Sequence, residues 1–152
     1  MYAETAARDG FFIRPETYYR DVWQQFMQTG QADLLLAAVK GEPVAGLLLF
    51  YFCQTAWYLY GASTGQHRNL MPNHALQWAA IKQAKNRGCT RYDMWGAPDR
   101  FDESDRMWGV YRFKQGFCGE TTLGLGAYDF PVNRLLYWVF STALPRLRQL
   151  SR

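Results

Sequence analysis

The chain has 152 residues, enough for one domain with a sizeable core, and 49% hydrophobic against 20% charged residues excludes an intrinsically disordered protein. The net charge of +4 permits attraction to RNA, to anionic lipid or to phosphorylated substrates without selecting among them. The three cysteines are widely spaced and form no CxxC pair, which excludes a disulfide framework and a zinc knuckle. We therefore expect a globular cytoplasmic protein with reduced thiols.

The first half of the chain predicts one helix followed by three strands. Pro15 suits the first position of a helix, and an apolar face at helical spacing follows it as far as Gly30. The predicted strands are residues 32–40, 44–53 and 56–63. Because their connections are short, we expect an antiparallel meander. The nearly continuous apolar run of the second strand places it centrally, with both faces covered.

The second half of the chain alternates helices and strands. A helix begins at Pro72 and ends at Gly88, and an aromatic strand follows it. A helical crossover between two strands predicts that they pair in parallel. The remaining elements are the strand at 91–95, a helix at 105–115, a strand at 120–128 and a helix capped by Asn133 that reaches about residue 150. The fold class is therefore α/β (α+β), with a mixed sheet flanked by helices.

Lys114 is the residue that we single out for chemistry. It lies near a helix end between Phe113 and Phe117, where its ammonium can face a carbonyl oxygen that gains negative charge in acyl transfer. The alternative is a solvated lysine that stabilises the helix C terminus. Asp93 has two interpretations as well, because it can act as a general base or pair with an arginine such as Arg91.

The polar loop before Pro72 predicts contacts with phosphates. His67 and Arg68 lie beside a helix N terminus, which attracts anions. Gly65 is the only glycine of this loop, so few main-chain N–H groups can closely approach the diphosphate of a cofactor. Two histidines are too few for a metal cluster, and the acidic residues of 99–105 lack metal-ligand spacing, so we predict no metal site.

The last predicted helix combines apolar residues with arginines, among them Arg134, Arg146 and Arg148, and no acidic residue follows Asp129. Such a helix can lie on an anionic membrane surface. The alternative is that it packs against a partner domain.

Five motifs occur together in a fixed order. They are ETAARDGF (4–11), YLYGAS (58–63), LMPNHALQWAAIKQAKNRG (70–88), YDMWGAP (92–98) and YRFKQGF (111–117). Each is weak alone, but the ordered set covers almost the whole chain and resembles the FemAB/FemX peptidyltransferase family. The resemblance implies a GNAT-like fold, usually duplicated within one chain. It also implies transfer of an amino acid from aminoacyl-tRNA to the stem-peptide amine of a peptidoglycan precursor such as lipid II, in cell-wall biogenesis.

The resemblance also implies roles for particular residues. The family's FKxGF motif maps to Phe113 and Lys114, so both are expected to border the aminoacyl end of the tRNA, with the lysine stabilising the oxyanion. The other substrate-binding candidates are Arg112, Tyr60, Arg68, Asn73 and Trp95. Aminoacyl-tRNA and the precursor are the expected partners, with no cofactor. The glycine-poor loop agrees with a donor other than acyl-CoA.

The sequence departs from the family pattern in one respect, because family members carry two GNAT-like domains. Residues 1–152 match the second, so we expect a single GNAT-like domain from the C-terminal half of a longer enzyme, incomplete without its N-terminal domain. The expected location is the cytoplasm, peripherally at the inner face of the membrane. The alternatives are an acyl-CoA-dependent N-acyltransferase and a non-catalytic docking or membrane-surface module.

Overall fold

The computed structural model describes residues 1–150, and it describes the surroundings of side chains as far as residue 147. It divides into two compact units, the first of which is Met1–Gly119. The first unit contains, in chain order, α1 (Tyr2–Asp9), α2 (Glu16–Gln28), β1 (Ala32–Val39), β2 (Glu42–Phe52), β3 (Thr55–Ser63), a short 3-10 turn (Arg68–Leu70), α3 (Pro72–Asn86), β4 (Arg91–Asp93) and α4 (Trp108–Gln115).

The four strands form one mixed sheet in the order β1-β2-β3-β4. The first three strands pair antiparallel and β3 pairs with β4 in parallel, which confirms both the predicted meander and the predicted β-α-β unit. As predicted, β2 is central and covered on both faces, since Leu48 and Leu49 point to opposite faces and are 2% and 0% exposed. One face packs against α3 and the other against α2.

A polar cluster fixes the C-terminal half of α3 to the sheet. Tyr51 on β2 donates a hydrogen bond of 2.8 Å to Asp33 on β1, and Gln83 on α3 donates to the same carboxylate. Arg87 pairs with Asp33 at 3.1 Å, donates to the Gly30 carbonyl at 2.8 Å and stacks over the Tyr51 ring. With its far end held in this way, α3 can present its first turn at a defined place.

The second unit, which begins at Glu120, holds α5 (Arg134–Trp138), a π-helical segment (Val139–Ala143) and α6 (Leu144–Leu150). Asn133 caps α5 as predicted, since its side chain accepts hydrogen bonds from the N–H groups of Leu135 and Leu136 at 3.0 and 3.1 Å. The widened π turn lies just before Pro145, which has no N–H to donate to the preceding turn. Within residues 1–150, no helix has the length and apolarity required to cross a bilayer.

Several sequence predictions of secondary structure were wrong. Residues 120–128 form no strand, because Gly124 and Gly126 punctuate the segment and Gly126 takes a left-handed φ of 89°. The strand predicted at 91–95 ends at Asp93, and the helix predicted from Asp105 begins at Trp108. In the opposite direction, α1 forms where the sequence has no clear period, and it packs Tyr2 against Tyr19 and Tyr60.

Candidate active site

The parallel pairing of β3 and β4 is short. It runs from Thr55–Arg91 to Trp57–Asp93 and stops there, while β3 continues to Ser63 paired only with β2. On its other side, β3 carries a bulge, because Leu48 pairs with Tyr60 and the next residue of β2 pairs with Tyr58. A bulge changes the direction of neighbouring side chains and is common beside active sites. Strands β3 and β4 therefore separate after Trp57 and Asp93, and polar groups of other elements lie at that end of the pairing.

Lys114 lies at this parting. Its ammonium donates a hydrogen bond of 2.6 Å to the carbonyl oxygen of Gly96, three residues after the end of β4. Burial lowers the pKa of the Lys114 ammonium from its ordinary value, and the negative charge of Asp93 opposes that shift in part. The lysine is half-buried on the last turn of α4 and bound to a main-chain oxygen.

Asp93 shapes the turn that follows β4. Its carboxylate accepts a hydrogen bond of 2.7 Å from the main-chain N–H of Trp95, which takes a left-handed φ of 61°. The Trp95 side chain is 58% exposed and lies edge-on to Trp57, with ring centroids 5.7 Å apart. Among residues 1–147, no ion pair joins Asp93 to an arginine, so the interpretation in which Asp93 pairs with an arginine such as Arg91 is wrong.

An aromatic cluster that includes Phe113, the residue before Lys114, joins α3 to α4. The His74 ring lies 4.8 Å from the Phe113 ring and stacks on Phe117 at 5.9 Å, and the two phenylalanine rings are 5.4 Å apart. We call these three residues the α3–α4 aromatic cluster. The sequence did not predict that His74 belongs to this cluster, although it does place His74 in the first turn of a helix, directly after Asn73.

The predicted substrate-binding residues separate into two groups. Phe113 contacts His74, the neighbour of Asn73, so α4 meets the first turn of α3. Arg68 and Arg112 are exposed in the 3-10 turn and on α4. Tyr60 lies elsewhere, in an aromatic group with Tyr2 and Tyr19 on the face covered by α2, where burial and Tyr18 raise its pKa to about 12.

The acidic loop before α4 is structural. Asp105 accepts hydrogen bonds from the N–H groups of Met107 at 2.8 Å and Arg100 at 3.2 Å, and these bonds lower its pKa. Asp102 accepts a hydrogen bond of 2.8 Å from Ser104 N–H. Since the carboxylates fold the loop on itself, they position α4. In the described part of the chain, no cluster of three potential metal ligands forms.

Comparison with solved structures identifies the fold. The chain superposes on the crystal structure of FemX with a TM-score of 0.83 and 20% identity, over 93% of this chain and 52% of that chain. It also superposes on an aminoglycoside 6'-N-acetyltransferase of Acinetobacter haemolyticus with a TM-score of 0.63 and 15% identity, over 86% and 91% of the two chains. The fold is thus the GNAT-like α/β fold of acyltransferases, as predicted.

Sequence comparison names the family. The model of the FemAB family matches residues 40–144, and the chain belongs to that family. It is 32% identical over 108 residues to a lipid II:glycine glycyltransferase of Staphylococcus saprophyticus, covering 71% of this chain and 26% of the relative. The corresponding enzyme of Staphylococcus haemolyticus is 31% identical over 115 residues, covering 76% and 27%. The chain therefore spans about a quarter of the length of these curated relatives.

The burial of Lys114 predicts its titration. After reductive ¹³C-methylation, we expect the Lys114 resonance to titrate below the ordinary lysine value, because burial disfavours the charged form. Asp93→Asn should lower the midpoint further, since it removes the opposing charge and retains an oxygen for Trp95 N–H. Glu103→Gln is the control, in the exposed part of the acidic loop, and should leave the midpoint in place. An unshifted Lys114, or a midpoint that rises in Asp93→Asn, would contradict this electrostatic account.

Proposed function

We propose that this chain is the donor-binding domain of an aminoacyltransferase that moves an amino acid from aminoacyl-tRNA to the stem-peptide amine of a peptidoglycan precursor. One observation carries the proposal, namely the Lys114 ammonium held 2.6 Å from a main-chain carbonyl oxygen, on the same helix turn as Phe113 of the α3–α4 aromatic cluster. The names of the glycyltransferase relatives, which include lipid II and glycine, support the same class of substrates.

The spacing of charge and rings favours a nucleoside ester as donor. In aminoacyl-tRNA, the reacting ester and the terminal base are attached to the same ribose. Lys114 directly follows Phe113 in α4, so one nucleoside ester can present its carbonyl to the ammonium and its base to the aromatic rings. Unpaired bases commonly stack on exposed aromatic side chains. In acyl-CoA, by contrast, the pantetheine arm separates the adenine from the acyl group.

The reaction that we infer is acyl transfer through a tetrahedral intermediate. The amine nitrogen of the acceptor attacks the ester carbonyl carbon, and a C–N bond forms. The ester C–O bond then breaks, and the proton lost by the amine ends on the released ribose hydroxyl. Lys114 donates to the oxyanion of the intermediate, which it can do while still bound to Gly96 because an ammonium has three N–H donors.

The donor class is tested by direct binding. We expect the chain to bind a stable RNA minihelix carrying a 3'-amide-linked amino acid, and a large excess of acetyl-CoA should not displace it. The deacylated minihelix is the matched control, and it should bind more weakly because it has no carbonyl for Lys114. Displacement by acetyl-CoA would instead support the alternative function, an acyl-CoA-dependent acyltransferase. The acetyltransferase that superposes on this chain has the same fold.

The role of Lys114 is tested by rate. In a complete enzyme that contains this domain, Lys114→Ala should lower the transfer rate by about 10²–10³, the usual effect of removing one oxyanion donor. Activity should also fall as the pH rises through the lowered pKa of Lys114, because only the ammonium is charged. Lys82→Ala, at an exposed site on α3, should retain the wild-type rate. A loss of less than threefold in Lys114→Ala would refute the role.

We further propose that the second unit contacts an anionic membrane surface. Leu135, Trp138 and Phe140 are 70%, 55% and 67% exposed. After Asp129, the sequence carries only positive charges, Arg134, Arg146, Arg148 and Arg152. Exposed apolar and aromatic residues beside arginines are typical of helices that lie in a lipid interface. This contact would bring the protein to a lipid-linked acceptor at the cytoplasmic face of the membrane.

Vesicle binding tests this surface. We expect the chain to sediment with vesicles containing phosphatidylglycerol and much less with pure phosphatidylcholine. The double variant Arg134→Gln/Arg146→Gln should weaken the binding by about tenfold or more, since each arginine near an anionic surface contributes about 1 kcal/mol. The control Arg20→Gln/Arg106→Gln removes the same charge from the first unit. If both double variants weaken binding equally, the attraction reflects net charge and not this helix.

A further inference from the structure

Helix α1 binds the end of β3 that β4 leaves uncovered. Thr5 and Ser63 are both buried, and the Thr5 hydroxyl donates to the Ser63 carbonyl at 3.1 Å and accepts from the Ser63 N–H at 3.0 Å. The next residue, Thr64, donates its N–H to the Val44 carbonyl on β2 at 2.9 Å. Since the main-chain groups of successive residues in a strand face opposite ways, those of Ser63 face away from β2. Helix α1 thus supplies hydrogen bonds where β3 has no second strand beside it.

Two charged residues of α1 extend this contact into the segment that follows β3. Arg8 donates to the Ser63 carbonyl at 3.3 Å. Glu4, one turn earlier on the same helix, accepts a hydrogen bond of 2.9 Å from the main-chain N–H of Gly65. The helix therefore holds the chain at Ser63 and again at Gly65, where the chain leaves the sheet.

The segment between Gly65 and Pro72 depends on its two ends for its position. Residues 66–70 are exposed, and the hydrogen bonds described for them join only near neighbours in the chain. At the far end, Pro72 is buried and begins α3. Because the bond from Glu4 is the last described contact with another element before α3 is reached, it helps to set the position of Arg68.

We infer that Glu4 is a positioning residue, which holds Arg68 in place for a phosphate of the RNA donor. The inference rests on the proposed function, because it takes Arg68 to contact a phosphodiester of that donor. Through its charge, the Glu4 carboxylate repels an approaching RNA. Through its hydrogen bond to Gly65, it fixes the segment that carries Arg68. These two effects on RNA affinity have opposite signs, so substitutions can separate them.

The test measures the affinity of the full chain for the minihelix with a 3'-amide-linked amino acid. Glu4→Ala should weaken binding about fivefold, because the segment loses one fixing hydrogen bond. Glu4→Gln keeps an oxygen for the Gly65 N–H and removes the charge, so it should bind at least as tightly as the wild type. The matched control is Glu16→Ala, at an exposed glutamate of α2 that bonds only to Arg20, and it should not weaken binding. A charge effect alone would tighten binding in all three variants.

A double-mutant cycle tests whether Glu4 acts through Arg68. In the background of Arg68→Gln, Glu4→Ala should change the affinity by less than about twofold, because the contact that it positions is already absent. Each single variant, Glu4→Ala and Arg68→Gln, should also reduce the slope of log affinity against log salt concentration by about 0.7, as expected for one lost contact with a single-stranded phosphate. A purely structural role of Glu4 would lower the melting temperature and leave this slope unchanged.

A second variant makes the test independent of the folding of Glu4→Ala. Glu4→Met keeps the length of the side chain and a high helix propensity but has no carboxylate, so it should weaken binding as Glu4→Ala does. Wild-type affinity in the folded variants that lack the carboxylate oxygen, a Glu4→Gln as weak as Glu4→Ala, or a full effect of Glu4→Ala in the background of Arg68→Gln would overturn the positioning role alone. Failure of the wild type to bind the minihelix would overturn the proposed function together with this role.

Discussion

The short parallel pairing between β3 and β4 is the constraint on which the candidate site depends. If β4 continued beside β3, main-chain hydrogen bonds would fill the space that the strands now leave open. Instead, Asp93 binds the N–H of Trp95, the chain turns through a left-handed residue, and the carbonyl of Gly96 becomes available to Lys114. The end of one three-residue strand thus fixes both the opening and the group that lies beside it.

Electrostatics then decide what Lys114 can do. Burial removes water from the ammonium, which lowers its pKa, yet Asp93 and the Gly96 carbonyl favour the charged form. A cation that is held with little water acts more strongly on a developing oxyanion than a solvated one does, because the local dielectric constant is lower. The carboxylate that forms the turn therefore also helps to keep the lysine charged.

Periodicity and punctuation in the sequence predicted much of the fold, because α2, α3 and the three meander strands carry strong local signals. The order of these elements along the chain predicted the α/β fold class, which the structure confirms. The failures have local causes. The apolar alternation at 120–128 predicts a strand, but glycines interrupt it, and the helix predicted from Asp105 begins later because the Asp105 carboxylate folds a turn before α4. The bulge in β3 between Tyr58 and Tyr60 could not be predicted, because it depends on the register between two strands, which the sequence of one strand does not contain.

The start of α3 bears on the choice between donors. Pro72 has no N–H, and the N–H groups of His74 and Ala75 both bond back to the Met71 carbonyl. Among the main-chain N–H groups of residues 71–75, only that of Asn73 makes none of the described hydrogen bonds. It is therefore the first-turn donor that can bind an anion. A diphosphate needs several such N–H donors, which glycine-rich turns usually supply. Here the residue before the helix is Met71, which adopts a left-handed φ of 51° although it is not a glycine. One donor suits a single phosphodiester better than a diphosphate, which supports the RNA donor that we propose over acyl-CoA.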